Sequence, residues 1–211
     1  MWDAPVGDLY FQAAAFIPAL ISMDDFKGFL VRLFTDPPWC FLSWPAAAMI
    51  IGTLIGIFSS GAVQRLAVVP RNAAGLIGLI TAPFIHLNFA HLIANLPPFV
   101  VLGALVLRRD ESQFLKVSLA IALTQGGLLW MFGRKVAHVG MSGVIFGFFG
   151  YLIALGWFSH TTPDLWAAAG VLIFYGGMLV GVAPARNGTS WEGHLFGLIA
   201  GVAAAWFFQR T

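Results

Sequence analysis

Charge is scarce in this 211-residue chain: Asp, Glu, Lys and Arg together make up 9%, against 59% hydrophobic residues. Soluble domains carry roughly a quarter charged residues, so the composition excludes an ordinary water-soluble globule and identifies an integral membrane protein. The net charge of +2 is too small to support a nucleic-acid partner. Cysteine is nearly absent as well. One residue, Cys40, excludes an internal disulfide and reads as a packing residue beside the start of an apolar run. Carboxylates are missing from the apolar runs: all nine acidic residues fall outside them. The one beside a polar span start, Glu192, is two residues from His194 and so projects from a different side of a helix. No H-E-x-x-H motif occurs.

What is present is a series of apolar runs, each close to the 20 or so residues that cross a bilayer as a helix. They cover about Cys40 to Ser59, Phe84 to Leu107, Phe114 to Phe132, Ser142 to Phe158, Leu165 to Val182 and Gly193 to Phe208. The expected fold is an all-α membrane protein with six transmembrane helices in one bundle, residues 39–211, and both termini on one side. Residues 1–38 form a separate N-terminal segment. Its run from Phe11 to Met23 is interrupted by Pro18 and too short to span, so Phe11 to Phe34 reads as amphipathic helix lying in the interface. Nothing in that segment has the pattern of a cleaved signal peptide. Basic residues divide six against five between the two faces, and Arg108-Arg109 in a short loop lean toward a cytoplasmic N-terminus.

Three of the six spans open on polar residues. The first such start is His86-Leu87-Asn88-Phe89-Ala90-His91-Leu92-Ile93-Ala94-Asn95, the second Gly140-Met141-Ser142-Gly143, and the third Gly193-His194-Leu195-Phe196-Gly197. Spans two, four and six run in the same direction, so His86, His91, Asn95, Ser142 and His194 belong near one membrane face. Ionisable residues inside spans are expensive and face the bundle interior, where they mark functional sites. A hydroxyl, imidazoles and an amide suit acyl transfer: a nucleophile, a base for its proton, and donors for an oxyanion. With no acid to complete a triad, a Ser142–His194 dyad is the economical arrangement. Glycines at spacings of four, Gly143 and Gly147 on one span and Gly193, Gly197 and Gly201 on another, let helix backbones approach closely and bring the two side chains together. The first-turn N–H groups of span four, with His91 and Asn95 at i and i+4, offer an oxyanion site.

Other readings of the same residues exist. Ser142 is also a good helix-packing residue, and Asn95 is also a good interhelical hydrogen-bonding residue. His138 falls in a loop and reads as solvated or as a loop anchor. A metal site from His86, His91 and His194 lacks a supporting carboxylate. A cofactor-binding or transport bundle would show internal repeats and broken half-helices, which are not evident.

Taken together, His86-x4-His91-x3-Asn95, His138-Val139-Gly140-Met141-Ser142-Gly143-Val144-Ile145-Phe146-Gly147 and Trp191-Glu192-Gly193-His194-x2-Gly197-x3-Gly201 resemble the rhomboid family of intramembrane serine proteases across the six-helix core. The resemblance implies a rhomboid-like bundle in which Ser142 is the nucleophile and His194 the base. It implies an oxyanion hole of His91, Asn95 and the Ser142 N–H, with His86, Gly140 and Phe146 in support and His86 organising water. Phe146 stands where many relatives have a tyrosine stacked on the catalytic histidine, so ring stacking survives without the hydroxyl. The first loop lacks the family's common Trp-Arg pair, which removes one expected means of anchoring it. The resemblance implies no metal or other cofactor. Its partners would be single-pass transmembrane substrates in the lipid bilayer, with a bacterial inner-membrane location and a site toward the non-cytoplasmic face. A catalytically inactive relative that binds membrane clients is the alternative it leaves.

Overall fold

In the computed structural model, described for residues 23–36, 38–59, 61–184 and 190–209, the chain is all α. Among the described residues no β-strand occurs, and the only ladder contact is an isolated bridge between Val68 and His138. The chain falls into two compact units that divide between Ser43 and Trp44. In the first lies α1 (Met23–Thr35), a helix within the C-terminal half of the segment expected at the interface. The first half of that segment, residues 11–22, lies outside the described residues.

Among the described residues six helices are long and apolar enough to cross a membrane, and they match the six expected spans within a few residues: α2 (Cys40–Phe58), α5 (Phe89–Arg109), α6 (Glu111–Phe132), α7 (Ser142–Ser159), the segment Thr162–Val182 and α9 (Trp191–Phe208). The protein is therefore a multi-pass integral membrane protein. Between α2 and α5 come two short helices, α3 (Ala62–Leu66) and α4 (Gly78–Thr81), with 3₁₀ turns at Ala73–Ile77 and Ala82–Phe84. The fifth span differs from expectation. It is α-helical only over α8 (Thr162–Tyr175) and tightens to a 3₁₀-helix over Gly176–Val182. Glycines at 176, 177 and 181 explain this, since glycine gives up helical geometry more readily than other residues.

Helix α7 is the axis of the fold. Of its apolar window, 72% is buried inside the protein, against 11–44% for the other spans, so it is apolar on every side. The remaining spans turn residues such as Ile93, Leu119, Trp166, Phe174 and Phe207 outward, as helices facing lipid do. Contact of α7 with α9 depends on glycine. A methyl group at Gly197 would overlap the Gly143 carbonyl, and one at Gly201 the Gly147 carbonyl. Backbone thus lies on backbone at two successive levels, as the fourfold glycine spacing predicts.

Two ion pairs fix helix ends. Arg109 at the end of α5 binds Asp164 at the start of α8, 2.9 Å from Nε to Oδ1, and Ser159 and Thr161 also donate to that carboxylate. At the opposite ends of the helices Arg134 binds Glu192 through Nε and Nη2, the latter at 2.9 Å. Asp110 caps α6 by accepting from the backbone of Ser112 and Gln113.

The first loop is anchored despite lacking the Trp-Arg pair. Arg71 donates to the carbonyls of Met131 and Gly133 at 2.9 Å each, satisfying acceptors that the end of α6 leaves open. Trp130 Nε1 donates to the Asn72 carbonyl, and Thr81 to that of Leu66.

Gly201→Ala should therefore push α9 from α7 and destabilise the protein by about 1–3 kcal/mol, the range of core overpacking. Gly127→Ala, where nothing lies within 4 Å of the added carbon, should leave the unfolding midpoint in mixed detergent unchanged or slightly raised. Equal midpoints for the two variants would contradict the backbone-on-backbone contact.

Candidate active site

Asn88 starts α5 by accepting the N–H of His91 at 2.8 Å, which fixes His91 in the first helical turn, and Asn95 follows one turn later. Gly140 turns the chain into α7 with φ 113°, a conformation glycine adopts without strain. Its N–H donates to the Ala82 carbonyl at 2.8 Å. A Cβ there would stand 2.8 Å from the His91 ring, so glycine is required for both the turn and the fit. Ser142 is the first residue of α7. The first intrahelical bond of α7 runs from Ile145 N–H to the Met141 carbonyl, so the N–H groups of Ser142, Gly143 and Val144 have no acceptor within the helix.

Across the α7–α9 contact, Ser142 Oγ lies 3.0 Å from His194 Nε2. The other ring nitrogen of His194 lies 2.9 Å from the carbonyl oxygen of Gly181. A carbonyl only accepts, so Nδ1 carries the proton and donates to it, leaving Nε2 as acceptor for the serine hydroxyl. Phe146, one turn along α7 from Ser142, stacks on the His194 ring with centroids 4.2 Å apart and planes 6° from parallel. Ring stacking therefore holds with phenylalanine in place of tyrosine. The two bonds and the stack leave the imidazole no free rotation.

Ser142, His194, His91, Asn95 and Phe146 line one cavity of about 490 Å³. Asn95 uses one amide hydrogen on the His91 carbonyl at 2.8 Å and keeps a second. Its Oδ1 and the His91 Nδ1 are buried without a hydrogen-bond partner. A smaller recess of about 20 Å³ lies behind the serine, lined among others by Gln125, Gly140, Ser142 and Gly143.

His86 stands apart from this cavity. It is fully buried, packed edge-to-face on His91 with centroids 5.0 Å apart, and its Nε2 accepts a long bond, 3.4 Å, from the Met141 N–H. Burial, aided by the neighbouring His91 and offset in part by the Phe84 carbonyl, holds its pKa down to about 4. His138 is a loop anchor and is not solvated. Its backbone pairs with Val68 in both directions, Nδ1 lies 2.7 Å from Ser190 Oγ and Nε2 lies 3.0 Å from the Arg134 carbonyl. Burial lowers its pKa too.

The one acid near His194 in sequence, Glu192, is committed to Arg134, and the ring nitrogens are engaged, those of His86 by Thr53 Oγ1 and the Met141 N–H and those of His194 by Gly181 and Ser142. Among the described residues no group of three His, Cys, Asp or Glu is placed to hold a metal ion. Three participants have no sequence signal of their own. The Gly181 carbonyl is a backbone atom, and only the glycine-rich end of the fifth span hints that its helix opens there. Gln125 is an isolated amide in an apolar run, and its partner surface at Gly143 comes from another helix. Arg134 reads as an ordinary flanking cation.

Comparison with known proteins agrees with the architecture. The family model described as Rhomboid domain matches residues 73–211. An uncharacterized protein of Mycobacterium tuberculosis is 35% identical over 172 residues, covering 77% of this chain and 72% of the relative, and one of Mycobacterium bovis matches to the same extent. An uncharacterized protein of Mycobacterium leprae is 38% identical over 141 residues, 63% of this chain and 56% of its own.

The displaced pKa of His86 has a consequence for stability. Below about pH 6.5 the unfolded chain takes up a proton on this imidazole, while the folded chain resists until about pH 4. The stabilisation is therefore complete above pH 6.5 and is lost as pH falls toward 4, on the order of 3 kcal/mol across that window. Unfolding midpoints measured between pH 8 and 4 should show this acid limb, and His86→Asn should make it shallower, leaving the part that His138 contributes.

Proposed function

This chain belongs to the rhomboid family, and we propose that within it the protein is an active intramembrane serine endopeptidase that hydrolyses peptide bonds of single-pass transmembrane substrates. The observation that carries this reading is the hydrogen bond of Ser142 Oγ to a His194 ring whose tautomer is set by the Gly181 carbonyl. That is the arrangement a base needs in order to take a serine proton.

In this mechanism Ser142 Oγ attacks the scissile carbonyl as its proton passes to His194 Nε2. The oxyanion is held by the Ser142 N–H, the second amide hydrogen of Asn95 and a ring N–H of His91. The protonated His194, still bound to Gly181 through Nδ1–H, then delivers its proton to the leaving amine. A water activated by the same ring hydrolyses the acyl-enzyme. The 20 Å³ recess beside Ser142 and Gln125 has room for one water, which supports a supply close to the nucleophile. The exposed Arg134, Val136 and Ala137 among the residues lining the main cavity support an opening at the polar end of the bundle. A peptide bond inside an intact helix is shielded, so substrates cut here unwind easily near the site. With the Arg108-Arg109 end cytoplasmic, the site faces the non-cytoplasmic side of a bacterial inner membrane.

A fluorophosphonate probe tests serine activation without a known substrate. The detergent-solubilised wild type should be labelled, and Ser142→Ala and His194→Ala should lose the label while remaining folded. Asn95→Ala should lower kcat by about a hundredfold to a thousandfold, or about 2.7–4 kcal/mol, as removal of one oxyanion donor does elsewhere. Absence of labelling in folded wild type would overturn the catalytic reading in favour of a client-binding rhomboid.

A further inference from the structure

Helix α2 is apolar throughout its buried length apart from one residue, Thr53, which has no exposed surface. It sits on the face that meets the segment leading into α5. A Cβ at Gly52 would overlap the Phe84 carbonyl, and one at Gly56 would stand 3.5 Å from that of His86. These two glycines bring the backbone of α2 against Phe84–His86, and Thr53 between them lies 3.1 Å from His86 Nδ1. Thr53 Oγ1 also lies 2.6 Å from the Met49 carbonyl.

The direction of every bond in this series follows from its two ends. The Met141 N–H only donates, so His86 Nε2, 3.4 Å away, is unprotonated. The Met49 carbonyl only accepts, so the Thr53 hydroxyl hydrogen points to it. Between them the His86 Nδ1–H donates to Thr53 Oγ1. A threonine in a helix commonly satisfies its own donor on the carbonyl four residues back, but that leaves the oxygen's acceptor capacity buried and unused. Here the imidazole uses it.

We propose that Thr53 and His86 are positioning residues, which hold the Met141 peptide, and with it Ser142, by a one-way chain of hydrogen bonds from the Met141 N–H to the Met49 carbonyl. The chain ties the first span to the peptide preceding the proposed nucleophile and fixes the entry of the chain into α7. It occupies the Met141 N–H, so that amide is withdrawn from any oxyanion, while the Ser142 N–H keeps no acceptor within the helix. His86 then acts through its tautomer and not through water, which replaces the water-organising role that the family resemblance implies.

The proposal rests on Ser142 being the nucleophile, so its test has one arm that does not need activity. In the first arm, ¹⁵N-histidine NMR of the intact protein at pH 7 should find the His86 proton on Nδ1. In the second, the rate of fluorophosphonate labelling should fall in Thr53→Val by about tenfold to a hundredfold, the scale on which misplacing a reacting group slows an enzyme. Thr53→Ser, which keeps the hydroxyl, should restore it, with the rates compared per folded molecule because Thr53→Val also leaves the buried His86 Nδ1–H unpaired. A proton on His86 Nε2, wild-type labelling in Thr53→Val, or failure of Thr53→Ser to rescue would overturn the proposal. If wild type is not labelled at all, the catalytic reading falls, and the tautomer of His86 still decides whether the chain of bonds exists.

Discussion

The contact between α7 and α9 sets the geometry of everything else. Helices separated by ordinary side chains pack 8–10 Å apart, and at two levels here glycine opposes carbonyl, so no side chain keeps the backbones apart. That closeness places Ser142 and His194, each in the first turn of its helix, within one hydrogen bond. It also explains why α7 is central. A helix that touches its neighbours so closely must be apolar and small-residue-rich on several faces, which leaves polar chemistry only at its end.

Within a bilayer, polar groups find partners in the protein or remain unsatisfied at a cost of several kcal/mol. Most of the polar residues gathered at this end of the bundle obey that rule, and the pattern of partners is informative. Glu192 neutralises Arg134, His138 pins two loops together and His194 has a partner at each nitrogen. Atoms left without one, on His91 and Asn95, belong to residues lining the cavity that holds Ser142. The unsatisfied capacity at this end of the bundle is therefore concentrated in residues of that one cavity.

Much of this is legible in the sequence because membrane constraints are strict. Six apolar runs of the right length have one reading, and polar residues at the starts of three parallel spans have to meet at one depth. The glycine spacing of four specifies the α7–α9 contact. What cannot be read depends on backbone atoms or on single polar residues in apolar surroundings. Neither the Gly181 carbonyl nor the partnership of Arg71 with the end of α6 has a residue-type signature, because any residue carries a carbonyl. His138 is legible as an anchor but not as a buried one, since its burial comes from Val68 and Ser190, distant in sequence. The fifth span reads as continuous helix because hydropathy reports apolarity and is blind to whether the turn is α or 3₁₀.

The tether from Gly181 to His194 gives the imidazole a different kind of support from the carboxylate of a triad. A side-chain acid can be deleted by one codon change. A carbonyl is present whatever residue occupies the position, so mutation can disturb this support only by reshaping the local backbone. Residue 181 is nonetheless constrained, for a Cβ there would press to 2.9 Å from the Phe146 ring and 3.3 Å from His194 Nδ1. The durable part of the orienting device is thus the path of the main chain, and sequence drift along the 3₁₀ segment is tolerable wherever that path is kept.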